Sequence, residues 1–289
     1  MATSLALLAA LCLRPGGVRA DGDGVLRYLF FGHARSDDGT VQTVQRPIER
    51  VDYSRYAVVM GGGDYTSSST KSPATMDYLD RFLGVGRATT LLAMGNHDTS
   101  SRSTFETATG RNSWFRFDTN RIAFLVLDTT ETTALIQGSQ LQMIADTVAS
   151  LSNQTHLVLI HHHIVWLRGN PDLEPLLDTS IVASSTVNLG TNKLNFYSDV
   201  YPLLCQAQSN GIQVLCVAGD RTSYTNISHR TAEGVQLLAT GLLSTAPPAD
   251  KDVIVFEHDV PAGPLTWAFV PVADIPRIAD RSEGGRGGK

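Results

Sequence analysis

Five short stretches of the chain carry the side chains best suited to chemistry: His33-Ala34-Arg35, Gly63-Asp64, Gly95-Asn96-His97-Asp98, His161-His162-His163 and Gly219-Asp220-Arg221-Thr222. Imidazole nitrogens, carboxylates and an amide oxygen are donors that divalent cations accept. An imidazole also titrates close enough to neutrality to move a proton. Alone, a stretch such as "LLAMGNHDTS" reads equally well as a polar turn closing a strand. The question is whether the chain brings the five together.

Each stretch follows a short apolar run, in "VLRYLFFGHA", "YAVVMGGGD", "ATTLLAMGNHD", "HLVLIHHH" and "IQVLCVAGD", and "RIAFLVLDTT" is a sixth run of the same kind. Runs of this length bounded by small and polar residues read as buried strands. Helical patterns lie between several of them. In "KSPATMDYLDRFLG", Ser72 is placed as the cap, Pro73 as the first helical residue and Gly84 as the stop, with Met76, Leu79, Phe82 and Leu83 on one face. "GSQLQMIADTVASL" has Ser139 placed as the cap and Leu141, Ile144, Ala145, Val148 and Leu151 at helical spacing. "WFRFDTNRIAFLVLD" reads as a hairpin turning at Asp118 to Arg121, and "VQLLATG", "DVIVFEHD" and "LTWAFVPV" as further strands with no helix between them. The expectation is an α/β sandwich of mixed sheets. Open α/β sheets gather ligands where strands deliver their carboxyl ends, which is where the five stretches fall.

With 289 residues, 42% of them hydrophobic and 18% charged, the chain can bury a large core as one main domain. A net charge of -5 supplies no basic field for a phosphate backbone, so nucleic acid is not an expected partner. The N-terminus has an apolar stretch from Leu5 to Leu13, then Pro15, Gly16 and Val18-Arg19-Ala20, which reads as a signal peptide over residues 1–20 and hence a secreted or periplasmic protein. That stretch is too short to span a bilayer, and no later segment is long enough. The domain is placed at 21–280 and a flexible tail, "RSEGGRGGK", at 281–289. Cys205 and Cys216 show no metal or redox spacing and read as buried thiols. Asn153 and Asn226 begin glycosylation sequons, relevant only in a eukaryotic source. Residues 167–198, rich in Gly, Pro, Asn and Ser, read as an insertion forming a lid or pocket wall.

The ordered series of strand ends resembles the calcineurin-like metallophosphoesterase superfamily. Its members carry Asp-x-His, Gly-Asp, Gly-Asn-His-Asp/Glu, a His after a strand, and Gly-His-x-His, in that order and at similar separations. The resemblance implies a four-layer α/β/β/α sandwich of two mixed sheets, and phosphoester hydrolysis at a pair of metal ions. It assigns Asp64 as the bridging ligand and Asn96 as a ligand of the second ion. His97 becomes the acid that protonates the leaving oxygen, and Asp98 its orienting partner. Three consecutive histidines leave open which one binds. Setting "HHIVW" against the family's His-x-Pro pattern favours His162, with strand alternation sending His161 and His163 the other way. A purple acid phosphatase is set aside, because the place of its iron-binding Tyr is Ser67.

Two motifs depart from the family. His33-Ala34-Arg35 stands for Asp-x-His, and Gly219-Asp220-Arg221-Thr222 for Gly-His-x-His. A guanidinium has no lone pair to offer and stays protonated, so Arg35 cannot ligate. The expected centre therefore holds at most one divalent ion (Mn, Zn, Fe or Mg) on Asp64, Asn96, His162 and Asp220. His33 and His161 are further candidate ligands, and Arg35 stands in place of the other ion, forked onto Asp64 or Asp220. Asp37 and Asp38 offer a replacement carboxylate from a loop. Two functions follow: phosphoester hydrolysis of a small substrate at a reduced centre, with Arg35 binding phosphoryl and His97 as acid, or a catalytically dead relative with no ion that binds a ligand or partner.

Overall fold

The computed structural model describes residues 24–36, 42–178, 186, 194–222, 225–242, 251–260 and 263–278. The expected signal peptide, the tail, Asp37, Asp38 and residues 179–185 and 187–193 of the 167–198 insertion lie outside the described residues.

The chain runs β1 (Val25–Phe31), α1 (Arg46–Glu49), β2 (Val58–Gly61), α2 (Pro73–Leu83), β3 (Thr90–Leu92), α3 (Arg102–Thr109), β4 (Phe115–Thr119) and β5 (Ile122–Val126). It continues through α4 (Gly138–Ser150), β6 (His156–His161), α5 (Tyr201–Ser209), β7 (Gln213–Ala218), β8 (Ile227–Arg230), β9 (Gln236–Ala239), β10 (Asp252–Asp259) and β11 (Leu265–Pro271). One sheet has the order β11-β10-β1-β2-β3 and the other β4-β5-β6-β7-β9-β8. In the first sheet β1, β2 and β3 run parallel and β10 and β11 join antiparallel at one side; in the second β5, β6, β7 and β9 run parallel between antiparallel edge strands β4 and β8.

Strand alternation sorts the apolar side chains into three layers. Tyr28 and Phe30 of β1 pack between the sheets against Phe124, Val126, Val158, Ile160 and Val217. Leu29 and Phe31 face the other way, onto Met76 and Leu79 of α2 and Phe105 of α3. Leu125, Leu157, Leu159 and Cys216 of the second sheet meet Ile144 and Val148 of α4 and Leu204 of α5. The result is the expected four-layer α/β/β/α sandwich. Among the described residues no helix is long and apolar enough to cross a membrane.

Local chemistry explains most element boundaries. Pro73 opens α2, and Gly84 closes it in the left-handed region at φ 63°. The β4–β5 hairpin turns through Asn120 and Arg121, both at positive φ, one residue later than the composition suggests. Helix α4 begins at Gly138, so Ser139 lies inside its first turn and Gln137 takes the cap position without a side-chain bond. Gln140 is buried there because its amide brackets Asp128, accepting from the Asp128 N–H at 3.0 Å and donating to the Asp128 carbonyl at 3.1 Å. The described ends of the 167–198 insertion line a cavity of about 390 Å³ with Arg168, Gly169, Glu174, Leu194, Phe196 and Tyr197. Cys205 and Cys216 are unbridged.

Candidate metal centre

The two sheets meet at one end through glycine backbone. A Cβ on Gly219 after β7 would fall on the backbone of Gly62 after β2, and one on Gly32 after β1 would fall on Gly219. This close approach brings His33, Asp64, His162 and Asp220 together, although they come from opposite sheets. All four are essentially fully buried. His33 and Asp64 sit in the left-handed region at φ 50° and 57°, an unfavourable conformation for such residues that turns both side chains out of their strands.

The His162 ring is the pivot. Its Nδ1 donates to the Gly62 carbonyl at 2.7 Å, which leaves Nε2 facing oxygen: Asn96 Oδ1 at 3.0 Å, Asp220 Oδ1 at 3.4 Å and Asp64 Oδ1 at 3.6 Å. One nitrogen surrounded by three oxygen acceptors is a place for positive charge, either a proton on Nε2 or a metal ion. Burial is the largest single influence on the His162 pKa and lowers it, but Asp64 and Asp220, with the Gly62 bond, outweigh it, so the pKa is raised. Two of the three separations, to Asn96 and Asp220, also fit ligands of one metal ion, and Asp64 lies slightly farther off. Ligand bonds of about 2.1 Å put neighbouring donors roughly 3.0–3.4 Å apart. A ring nitrogen tied to a backbone carbonyl is the usual outer support of a ligating histidine.

The His33 side is built differently. His33 Nδ1 donates to the Arg221 carbonyl at 3.2 Å, so the lone pair is on Nε2. Arg35 Nε donates to that lone pair at 3.2 Å, and Asp64 Oδ2 lies 3.2 Å from the same nitrogen. The expected fork of Arg35 onto Asp64 or Asp220 is not found: its described bond is to the His33 ring, where the guanidinium covers the one nitrogen with which His33 could ligate. Burial is the main reason the His33 pKa is lowered, against the raising effect of Asp64 and Asp220.

His97 is one-third exposed, with Nε2 4.0 Å from Asp64 Oδ2. Its Nδ1 donates to the Ser67 carbonyl at 3.0 Å, not to Asp98 as expected. Asp98 is instead fully buried beneath the loop, where Oδ2 accepts from the N–H groups of Asp64 at 2.7 Å and Gly95 at 2.9 Å. It braces the backbone that aims Asp64, and Asp64 Oδ1 in turn accepts the His97 N–H at 2.9 Å. Burial, then the Asp64 charge, raise the Asp98 pKa to about 6.

His161, a further candidate ligand, points to the outer face of the sheet, with Nδ1 2.8 Å from the His163 carbonyl, and belongs to neither group of converging donors. His163 was expected to follow it. Instead the strand ends at His161, and His163 joins His162 and Asp220 in a buried group whose donor atoms all lie within 4.8 Å of one another. Burial first, and then His162, lower its pKa to about 4, so the ring is neutral at physiological pH. The run of three histidines was the sequence signal for this residue. A second group of the same kind comprises His33, Asp64 and Asp220.

Fold and site together define an α/β/β/α protein with a buried cluster of histidine and aspartate donors at the strand ends. No protein-family model matches the chain, and no curated protein matches its sequence. Among solved structures, a dimetal phosphatase from Danio rerio is similar over 86% of this chain and 99% of its own, at 13% identity and a TM-score of 0.49. Vacuolar Protein Sorting 29 from Cryptosporidium parvum is similar over 85% of this chain and 96% of its own, at 11% identity and a TM-score of 0.37. Both likenesses are distant, and the function has to be read from the site itself.

Proposed function

We propose that the protein is a phosphoester hydrolase of the calcineurin-like type working with one divalent ion. The observation that carries this reading is the convergence of Asp64, Asn96 and Asp220 oxygens on the lone-pair nitrogen of His162. Asp64, Asn96, His162 and Asp220 would hold the ion, which when bound supplies Lewis acidity toward a phosphoryl oxygen and lowers the pKa of water.

The remaining work falls to the chain's own side chains. His97 keeps Nδ1 on the Ser67 carbonyl, so the proton it exchanges is at Nε2, on the partly exposed side facing Asp64. That proton goes to the departing alkoxide. Arg35, anchored through Nε on His33, holds a fixed positive charge beside Asp64 and orients a phosphoryl oxygen without being consumed. Asp98 keeps the Asp64 loop in place. Loss of one ion relative to a two-ion centre implies slow turnover.

A second reading, ligand binding without catalysis, is favoured by one observation: Arg35 already covers the His33 lone pair, so that side of the centre is satisfied by a side chain. The two separate in one experiment. Phosphomonoester and phosphodiester turnover is measured with manganese or zinc, using Asp64→Ala and His97→Ala as controls. Turnover lost in both variants supports hydrolysis; inactivity of metal-loaded wild type rejects it. Export through cleavage near Ala20 belongs to the same proposal, and N-terminal sequencing of the mature protein tests it.

A further inference from the structure

The run "HHH" contains two imidazoles that the proposed chemistry leaves unused, and only one of them, His163, lies among converging donors. His163 lies two residues beyond the last residue of β6, and the chain bends directly after it, with Val165 N donating to the His163 carbonyl at 2.9 Å and Leu167 N to the Ile164 carbonyl at 3.2 Å. The alternation of strand faces stops at His161, so His163 is free to lie on the same side as His162. Their ring centroids are 5.0 Å apart at an angle of 69°. The ring is fixed from behind. Thr129, fully buried after β5, accepts the His163 backbone N–H at 3.2 Å, and its hydroxyl lies 3.0 Å from Nδ1. Nε2 has no hydrogen bond among the described residues.

The surroundings do not suit a purely structural histidine. Here the group comprises two adjacent histidines and a carboxylate, all buried, with one donor atom of each within 4.8 Å of the others. Asp220 stands where the resembled family has an imidazole, and an imidazole lies within reach of it at His163.

On the single-ion reading above, we infer that His163 is a ligand of the ion, restoring the second imidazole that the strand end after β7 no longer supplies. With His162 and Asp220 the converging donors are two imidazoles and one carboxylate, to which the proposed function adds Asp64 and Asn96. Such a set favours zinc, cobalt, iron or manganese over magnesium, which prefers oxygen and retains its water.

The test uses the full chain stripped of metal. Cobalt(II) is titrated by calorimetry while its visible absorption is followed, in wild type, His163→Gln, Asp64→Ala and His161→Gln. The expected result is binding weakened about 100-fold or more in His163→Gln, beyond most losses of outer-shell partners, with an altered cobalt spectrum. His161→Gln, whose ring faces away, should bind as wild type does, and magnesium should compete weakly. If wild type takes up no cobalt, the single-ion reading fails and this inference with it. If wild type binds and His163→Gln matches it in affinity and spectrum, the inference alone fails. Should His163→Gln not fold, pulsed EPR of the copper(II)-loaded wild type counts coupled imidazoles: two support the assignment and one overturns it.

Discussion

The two sides of the centre share Asp64 and Asp220 but solve the same electrostatic problem in opposite ways. On one side His33 presents a lone pair to Asp64, and the Arg35 guanidinium satisfies it from within the chain. On the other, His162 turns Nε2 toward three oxygens, a place for a proton or a metal ion, with His163 beside it. The first side carries its cation covalently. The second is shaped for one that must be acquired. On the proposed single-ion reading, the fixed charge on one side leaves the one acquired ion to do the chemistry alone.

The comparison breaks most visibly at the shared carboxylate. Asp64→Ala should abolish metal uptake and reduce phosphoester turnover more than about 1,000-fold, since it removes a ligand and with it the ion. Retention of either in a kinetic and metal assay would show that the halves are not joined through Asp64. Next in size, His97→Ala should lower turnover about 100- to 10,000-fold while leaving metal content unchanged, and the loss should shrink for substrates whose leaving group needs no proton. Arg35→His sharpens the contrast directly. With the guanidinium gone and an imidazole in its place, the His33 side should accept a second ion, read as a doubling of bound metal.

Much of this was legible in the sequence. The apolar runs, each closed by residues of ligand type, located the strand ends, and composition between them located the helices. What escaped depends on partners distant in the chain. Asp98 was read as a support for its neighbour His97, yet it accepts the backbone N–H of Asp64, 34 residues away, a bond that no local pattern encodes. His163 was sent to the wrong face because alternation holds only while a strand lasts, and β6 stops two residues earlier. The Arg35 fork follows from guanidinium chemistry alone, which cannot distinguish a carboxylate partner from a ring nitrogen.

Two smaller effects sharpen the account. Asp98→Ala leaves two buried N–H groups without an acceptor and should cost about 2–4 kcal/mol of stability in urea unfolding, with Asp98→Asn milder. The opposite end of the same sheets supplies a contrast in pH dependence. There His156 accepts the Leu265 N–H at Nε2, 3.1 Å away, and packs edge-on against His258 with ring centroids 4.8 Å apart. Burial, then the neighbouring His258, lower the His156 pKa to about 4, and burial also lowers that of His258. Because these folded values lie below the usual 6.5, the unfolded chain binds more protons in between. Their contribution to stability should be full above pH 6.5 and decline as pH falls toward 4. The decline should be shallower in His156→Gln, as monitored by unfolding across that range.

The central claim, one acquired ion beside one built-in cation, is tested most directly by native mass spectrometry of the protein reconstituted with excess manganese or zinc. The account predicts a single ion per chain that disappears in Asp64→Ala. Two ions per wild-type chain, or one that persists without the Asp64 carboxylate, would contradict it.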